Sequence, residues 1–308
     1  MGSIAKSRMR QALSWATSAL GPIEVISDHS KAHGDRVSAT TRIRSRKGLC
    51  YLKVHESRGP WQIEAHAYEH WTRAFGRHAP RLLGVRDREP LALIVSEVPG
   101  RIVEKTRLTR RAGRAIWKSA GKALRPFHDQ AFGPGFGSCR RDGTLVGRVV
   151  RDPVACISGS LTHGLQRGLK GRYLSRDEAV TVRAVVNMAP AFKGERPVPC
   201  HMDYAPVNWL MNERRGWTGV VDFEFSAWHF WMSDFTRDPD WHWIKRPDLV
   251  DAFCEGYGRT LSPSRKLQLL VGHAAYALNA ITWGRANRYF GFEKEGHASL
   301  AHLAKFVR

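Results

Sequence analysis

The segment PCHMDYAPVNWL, residues 199–210, sets an acid and an amide, Asp203 and Asn208, among mostly apolar neighbours. A solvated loop carries more polar residues than this, and a buried strand does not normally carry the acid. Pro206, Val207, Trp209 and Leu210 therefore read as the anchor of a loop whose polar groups face a cleft. Another acid follows at Asp222, in Val220-Val221-Asp222-Phe223-Glu224, where the two valines would hold it at a strand end. Phosphoryl transfer requires this set of residue types. One carboxylate accepts or orients a hydroxyl proton, and an amide and a second carboxylate hold the metal that offsets phosphate charge. Asp203 takes the first role in this reading, and Asn208 and Asp222 take the second.

Working outward, the N-terminal third reads as antiparallel sheet with one inserted helix. MGSIAKSRMRQALSWATSALG has the pattern of an amphipathic helix rather than a signal peptide. PIEVISD and RVSATTRIRSRKGLCYLKV read as strands, with Leu49, Tyr51 and Lys53 alternating with Cys50 and Leu52. PWQIEAHAYEHWTRAF repeats Ile63, Ala67, Trp71 and Phe75 at helical spacing and is expected as one helix stopped by Pro80. RLLGVRD and LALIVSEV read as two more strands. Pro99-Gly100 then marks a boundary. Beyond it come a helix over RRAGRAIWKSAGKALRPFHD, a glycine-rich loop FGPGFGSCRRDG and a helical stretch from Ser175 to Phe192. Two helices, RPDLVDAFCEGYG and SPSRKLQLLVGHAAYALNAITWG, are expected to close the chain. The expected class is α+β in two lobes. Residues 1–98 form a small antiparallel-sheet lobe with a leading helix, and residues 99–308 a larger, mainly helical lobe.

Lys and Arg number 49 against 28 Asp and Glu, a net charge of +21 that attracts anions such as nucleotides, acidic lipids and nucleic acid. The basic residues are nevertheless spread along the chain. The longest clusters, Arg42 to Lys47 and Arg107 to Arg114, are short, and no zinc-finger spacing or aromatic RNP-type motif accompanies them. A nucleic-acid partner is therefore the secondary reading. No apolar run approaches a membrane span, so no membrane partner is expected. The five cysteines are scattered without a CxxC pair, which suggests reduced thiols in the cytoplasm. Cys200-His201 suggests zinc, but no second ligand pair sits at workable spacing.

HMDYAPVN followed by VVDFE resembles the HxDxxxxN and DxE-like signatures of the aminoglycoside phosphotransferase and choline kinase family, distant relatives of protein kinases. CYLKV, APRLLG, LIVSEVPG and AGKALRPFHD stand in the family's order, so the resemblance runs from Val25 to Asp234. It implies a bilobal protein-kinase-like fold, ATP or GTP as donor, Mg2+, and a small-molecule hydroxyl as acceptor. Lys53 resembles the strand lysine that contacts nucleotide phosphates. Glu64 resembles its helix partner, with Glu69 on the same helix as the competing choice. Ser96, Glu97 and Val98 occupy the hinge that offers backbone groups to a purine. His201 and Asp234 resemble groups that brace the loop, and Glu224 is either such a support or an additional metal contact. Taken singly, Asp203 reads as a loop cap, Asn208 as a turn residue and Asp222 as a strand-end cap. Their joint order, with the upstream lysine, favours the kinase-like reading.

The chain departs from the family pattern in two places. Met202 replaces a glycine, so the loop is expected to adopt a backbone conformation open to residues with side chains. The nucleotide-covering segment Asp28 to Gly34 has one glycine rather than several, and Ser30 is expected to meet phosphate there. FGPGFG falls in the wrong lobe for a phosphate cradle and reads as a loop. For the acceptor, the positive field opposes a polycationic aminoglycoside and favours a neutral or anionic antibiotic, nucleoside or sugar-bearing metabolite. Aminoglycosides, choline and sugars are the alternatives. Trp228, Trp231, Trp241 and Trp243 offer faces that stack on sugars or bases, and Asp238 offers a charge for an amine; core packing is the competing reading. A non-catalytic kinase-like binding protein and a basic nucleic-acid-binding protein are the readings of another class.

Overall fold

The computed structural model of the chain describes residues 3–33, 36–236, 245–258 and 261–307. The alternation in strand β4 (Gly48–Val54) organises the first layer. Cys50, Leu52 and Val54 are buried on one face, and Leu49, Tyr51 and Lys53 turn to the other. Around it lie β1 (Glu24–Asp28), β2 (Lys31–His33), β3 (Arg36–Ser45), β5 (Leu82–Arg86) and β6 (Ala92–Ser96). The sheet runs in the order β1-β3-β4-β6-β5, with β2 paired to β3, and every pairing is antiparallel. Helix α1 (Ser3–Leu20) lays Ala12, Ala16 and Leu20 against Ile43, Cys50, Leu52, Val54 and Ile94, closing one face of the sheet. On the opposite face Leu93 and Val95 join the main core of the molecule.

The expected single helix after this sheet changes form twice. Helix α2 (Arg58–His66) passes into a π turn, Ala67–Trp71, and then a 3-10 segment, Thr72–His78. The periodicity supplies the reason. Ala67, Trp71 and Phe75 recur at every fourth position, slower than the ~3.6 residues of an α turn, so a regular helix would carry the stripe out of the core. One wider turn keeps all three buried. At the end of the segment, His78 Nδ1–H donates to the Thr218 carbonyl at 2.7 Å, tying the sheet-rich half to the helical half.

Past Pro99 and Gly100 the chain enters a second sheet, in which β7 (Arg101–Ile102) and β10 (Trp217–Val220) flank β9 (Trp209–Met211). A two-stranded ribbon joins β8 (Val198–Cys200) and β11 (Ala227–His229). The surrounding helices are α3 (Arg110–Asp129), α4 (Pro153–Lys170), α5 (Arg176–Val186), α6 (Ser233–Thr236), α7 (Pro247–Tyr257), α8 (Pro263–Ala286) and α9 (Phe290–Val307). Helix α3 lies along α7 so closely that a Cβ on Gly121 would sit 2.1 Å from the Phe253 carbonyl oxygen. Helix α8 packs on α4, α5, α6 and α9. The stretch from Ser175 splits into α5, opened by a capping box between Ser175 and Glu178, and a 3-10 turn, Ala189–Phe192.

Helices α4 and α9 were not expected, and among the described residues three helices rather than two close the chain. Among the described residues no helix is long and apolar enough to cross a membrane. All five cysteines are free thiols. The architecture is α+β: an antiparallel-sheet N-terminal lobe followed by a mainly helical C-terminal lobe.

Candidate active site

Residues 201–208 form the loop between β8 and β9. Tyr204, Ala205, Pro206, Trp209 and Leu210 are buried beneath it. Tyr204 donates its hydroxyl to the Ala120 carbonyl at 2.9 Å, and the Trp209 ring stacks parallel to Phe253. This apolar mount fixes where the polar residues emerge.

Asp234 of α6, fully buried, holds the start of the loop by accepting the His201 and Met202 N–H groups at 2.8 and 2.6 Å. His128 Nε2–H donates to the same carboxylate at 3.0 Å, so its Nδ1 accepts from the Tyr257 hydroxyl at 2.8 Å. His201 Nδ1 accepts from the Asp203 N–H at 3.3 Å, which leaves Nε2–H to donate to the Val221 carbonyl at 3.1 Å. The histidine thereby links the loop to the segment that carries Asp222.

The expectation for Met202 is overturned. Its φ is +66°, in the left-handed region, so the loop keeps a glycine-like shape despite the side chain. Left-handed backbone costs an L-residue about 1–2 kcal/mol. The Asp234 bonds to the Met202 N–H and to the N–H before it, and packing of the half-buried methionine against the core, hold the conformation.

At the polar centre the Asn208 amide donates to the Asp203 carbonyl at 2.9 Å and to Asp203 Oδ2 at 2.8 Å. Its NH2 group is thus spent on Asp203, so that only its side-chain oxygen could serve a cation. The Asn208 carbonyl accepts from Val221 N–H at 3.0 Å, which brings Asp222 alongside. Asp222 also has a positive φ, +73°, a strained geometry of the kind that accumulates at functional sites. Its Oδ1 receives Lys53 Nζ at 2.8 Å, leaving the second carboxylate oxygen for a ligand. Two hard oxygen donors, Asn208 Oδ1 and Asp222 Oδ2, fit a magnesium ion that keeps much of its water shell.

Lys53 reaches this centre from the sheet, and its ammonium also donates to Glu64 Oε1 at 2.5 Å. Glu64 is fully buried, and its other oxygen lies 3.1 Å from His55 Nε2. Burial alone would raise the Glu64 carboxyl, but Lys53 and His55 overcome it and hold it at about 2. Burial likewise opposes the charge on Lys53, yet Asp222 and Glu64 raise the ammonium well above its ordinary range. The competitor Glu69 is turned away, engaged with the Arg141 guanidinium at 2.6, 3.0 and 3.1 Å. Glu224 stands close by, with one carboxylate oxygen within 4.8 Å of a ligand atom of His55 and of Glu64. Burial, then the neighbouring Asp222, pushes the Glu224 carboxyl up to about 7.

The remaining expected residues are distributed unevenly. The Ser96 and Glu97 N–H groups bond the Arg81 and Leu49 carbonyls, and Val98 is buried beside them. The Glu97 carboxylate is held by Arg42 through two bonds of 2.8 Å. Ser30 lies between β1 and β2, and its hydroxyl donates to Asp28 Oδ1 at 2.5 Å. Gly34, the glycine of the expected nucleotide-covering segment, lies outside the described residues. Residues 31–33, expected as part of that segment, are strand β2. Trp228 and Trp231 are in the core, 8% and 3% exposed, with Trp228 edge-on to Trp71 and Trp231 Nε1–H donating to Gln268. Their faces are used in packing rather than offered to an acceptor. Trp241, Trp243 and Asp238 lie outside the described residues.

The sequence reading missed His55, although it follows Lys53 by two residues and so falls on the same face of the strand. It also missed His128 and Tyr257, the groups that fix Asp234; only the segment RPFHD, at the end of α3, signalled the first of them.

The model of the phosphotransferase enzyme family matches residues 31–267. Among solved structures, an apo thermostable mutant of the aminoglycoside phosphotransferase APH(4)-Ia superposes with a TM-score of 0.71 at 12% identity, covering 95% of this chain and 98% of that one. A ternary complex of such a mutant with ADP and hygromycin B gives 0.71 at 11% identity, covering 95% and 97%. The GDP complex of aminoglycoside 2'-phosphotransferase-IIIa gives 0.65 at 13% identity, covering 97% and 98%. At these identities the likeness is one of fold. No curated protein sequence matches the chain.

Proposed function

Because the chain belongs to the phosphotransferase enzyme family, we propose that it is a magnesium-dependent small-molecule kinase acting on an acceptor hydroxyl. The observation that carries this reading is the convergence of Asp203 and Asn208 from one loop with Lys53, Glu64 and Asp222 from three other segments. Residues 1–98 serve the nucleotide and residues 99–308 the catalytic loop and the acceptor. The Lys53 ammonium, oriented by Glu64, holds the phosphates of ATP or GTP, with the backbone at Ser96 to Val98 facing the purine. Asn208 and Asp222 hold magnesium, which when bound offsets phosphate charge. Asp203 takes the hydroxyl proton as the acceptor oxygen bonds to the γ-phosphorus and the bond to the bridging oxygen breaks, releasing the nucleoside diphosphate. The five free thiols suit a reducing cytoplasm.

The net charge of +21 supports a neutral or anionic acceptor, such as a nucleoside- or sugar-bearing antibiotic. An aminoglycoside is the second reading, favoured by the hygromycin B in the similar ternary complex. A screen of magnesium-dependent transfer across antibiotics, nucleosides, sugars and choline, with mass spectrometry locating the added phosphate, separates the two. Transfer to none of these classes would sink the small-molecule kinase reading.

A further inference from the structure

The glycine-rich segment between α3 and α4, residues 133–151, is more than a connecting loop. Its root is built into the catalytic half. Gly133 N–H donates to the Pro197 carbonyl at 2.9 Å, and Gly137 and Trp228 exchange both backbone bonds, at 2.9 and 3.1 Å. The Phe136 ring lies 4.2 Å from that of Phe230. These contacts attach the segment to β11, the strand that follows Asp222 and Glu224.

From this root the chain runs out as a hairpin arm. Arg140 N–H donates to the Thr144 carbonyl at 2.8 Å, and Val146 N–H to that of Ser138 at 2.9 Å. Asp142 Oδ1 closes the tip by accepting from Thr144 N–H and Oγ1, at 2.9 and 2.7 Å. Gly143 turns the corner at φ +84°, and a Cβ there would come within 3.2 Å of the His66 ring.

The tip lands on the helix that carries Glu64. His66 Nδ1–H donates to the Arg141 carbonyl at 3.0 Å. The Arg141 guanidinium grips both oxygens of Glu69 in the π turn and lies 5.7 Å over the Trp61 ring. Trp61, His66 and Glu69 bracket Glu64 along the chain, so one arginine spans the helix on both sides of the residue that orients Lys53. A planar, bidentate group suits this task in a way a lysine would not.

We propose that Arg141 is a positioning residue: through Glu69, His66 and Trp61 the arm fixes the helix that presents Glu64 to Lys53. Because the arm is rooted on β11, it sets Glu64 relative to the Asp222 segment, the other group that holds Lys53. The assignment rests on the phosphotransferase reading, and it concerns the geometry of the Lys53 pair rather than any contact with substrate.

The test uses the full chain with magnesium-ATP and magnesium-GTP. Nucleotide affinity, nucleoside-diphosphate release and amide exchange across residues 64–71 are measured together. Arg141→Ala is expected to lower turnover about tenfold and to speed exchange in 64–71 while the thermal midpoint stays near that of wild type. Arg141→Lys should recover part of the loss. Glu69→Gln should reproduce it, and the double variant should lose no more than either single one, since both remove the same link. Wild-type turnover and exchange in Arg141→Ala would overturn the assignment while leaving the phosphotransferase reading in place. A wild-type chain with no affinity for either nucleotide would overturn the reading itself, and the assignment with it.

Discussion

Lys53 Nζ stands 2.5 Å from Glu64 Oε1, and that carboxylate is wholly enclosed by protein. The pair gives stability a defined pH dependence. Glu64 titrates at about 2 when folded, against 4.5 ordinarily, so its contribution is whole above pH 4.5 and drains away as pH falls toward 2. Glu64→Gln should cost about 3 kcal/mol at pH 7, because Lys53 loses a buried partner. Urea unfolding at pH 7, 5 and 3 should show the gap to wild type narrowing at the acid end. A gap constant across that range would refute the pairing.

Asn208 donates its amide to Asp203, and in the proposed site its side-chain oxygen holds magnesium. Asn208→Ala is therefore expected to raise the magnesium concentration for half-maximal turnover about tenfold or more. Magnesium titration of nucleotide turnover checks this. An unchanged requirement would remove Asn208 from the metal site.

Met202 sits at φ +66° with a partly buried side chain. Glycine there would lose the packing but relieve the backbone, whereas alanine would lose packing and keep the strain. Met202→Ala should thus be less stable than Met202→Gly by about 1 kcal/mol. Denaturant midpoints of the two variants decide it, and the opposite order would contradict the account of the loop.

These results show which parts of the molecule could be read from residues alone. The loop at 199–210 was legible because an acid and an amide stood out against an apolar run. The face of Lys53 was legible from the alternation in β4. Glu64 was the sequence choice for the partner of Lys53, with Glu69 on the same helical segment as the alternative; in the fold Lys53 bonds Glu64, and Arg141 holds Glu69. Helix α4 gives a weak signal in sequence because glycine is a poor helix former and the helix carries three of them. In the fold, Gly164 lets the helix approach Leu278 of α8, where a Cβ would come within 3.1 Å. Trp228 and Trp231 misled for the converse reason: an aromatic cluster has the same composition in a core as in a binding site.

In the proposed reaction Asp203 orients or deprotonates the acceptor hydroxyl beside a metal held by Asn208 and Asp222. The most direct measurement is magnesium-dependent phosphate transfer by Asp203→Asn, alongside wild type, to an acceptor found in the screen, with nucleotide affinity measured in parallel. Turnover is expected to fall about a thousandfold with nucleotide affinity nearly unchanged. Full turnover in Asp203→Asn would contradict it.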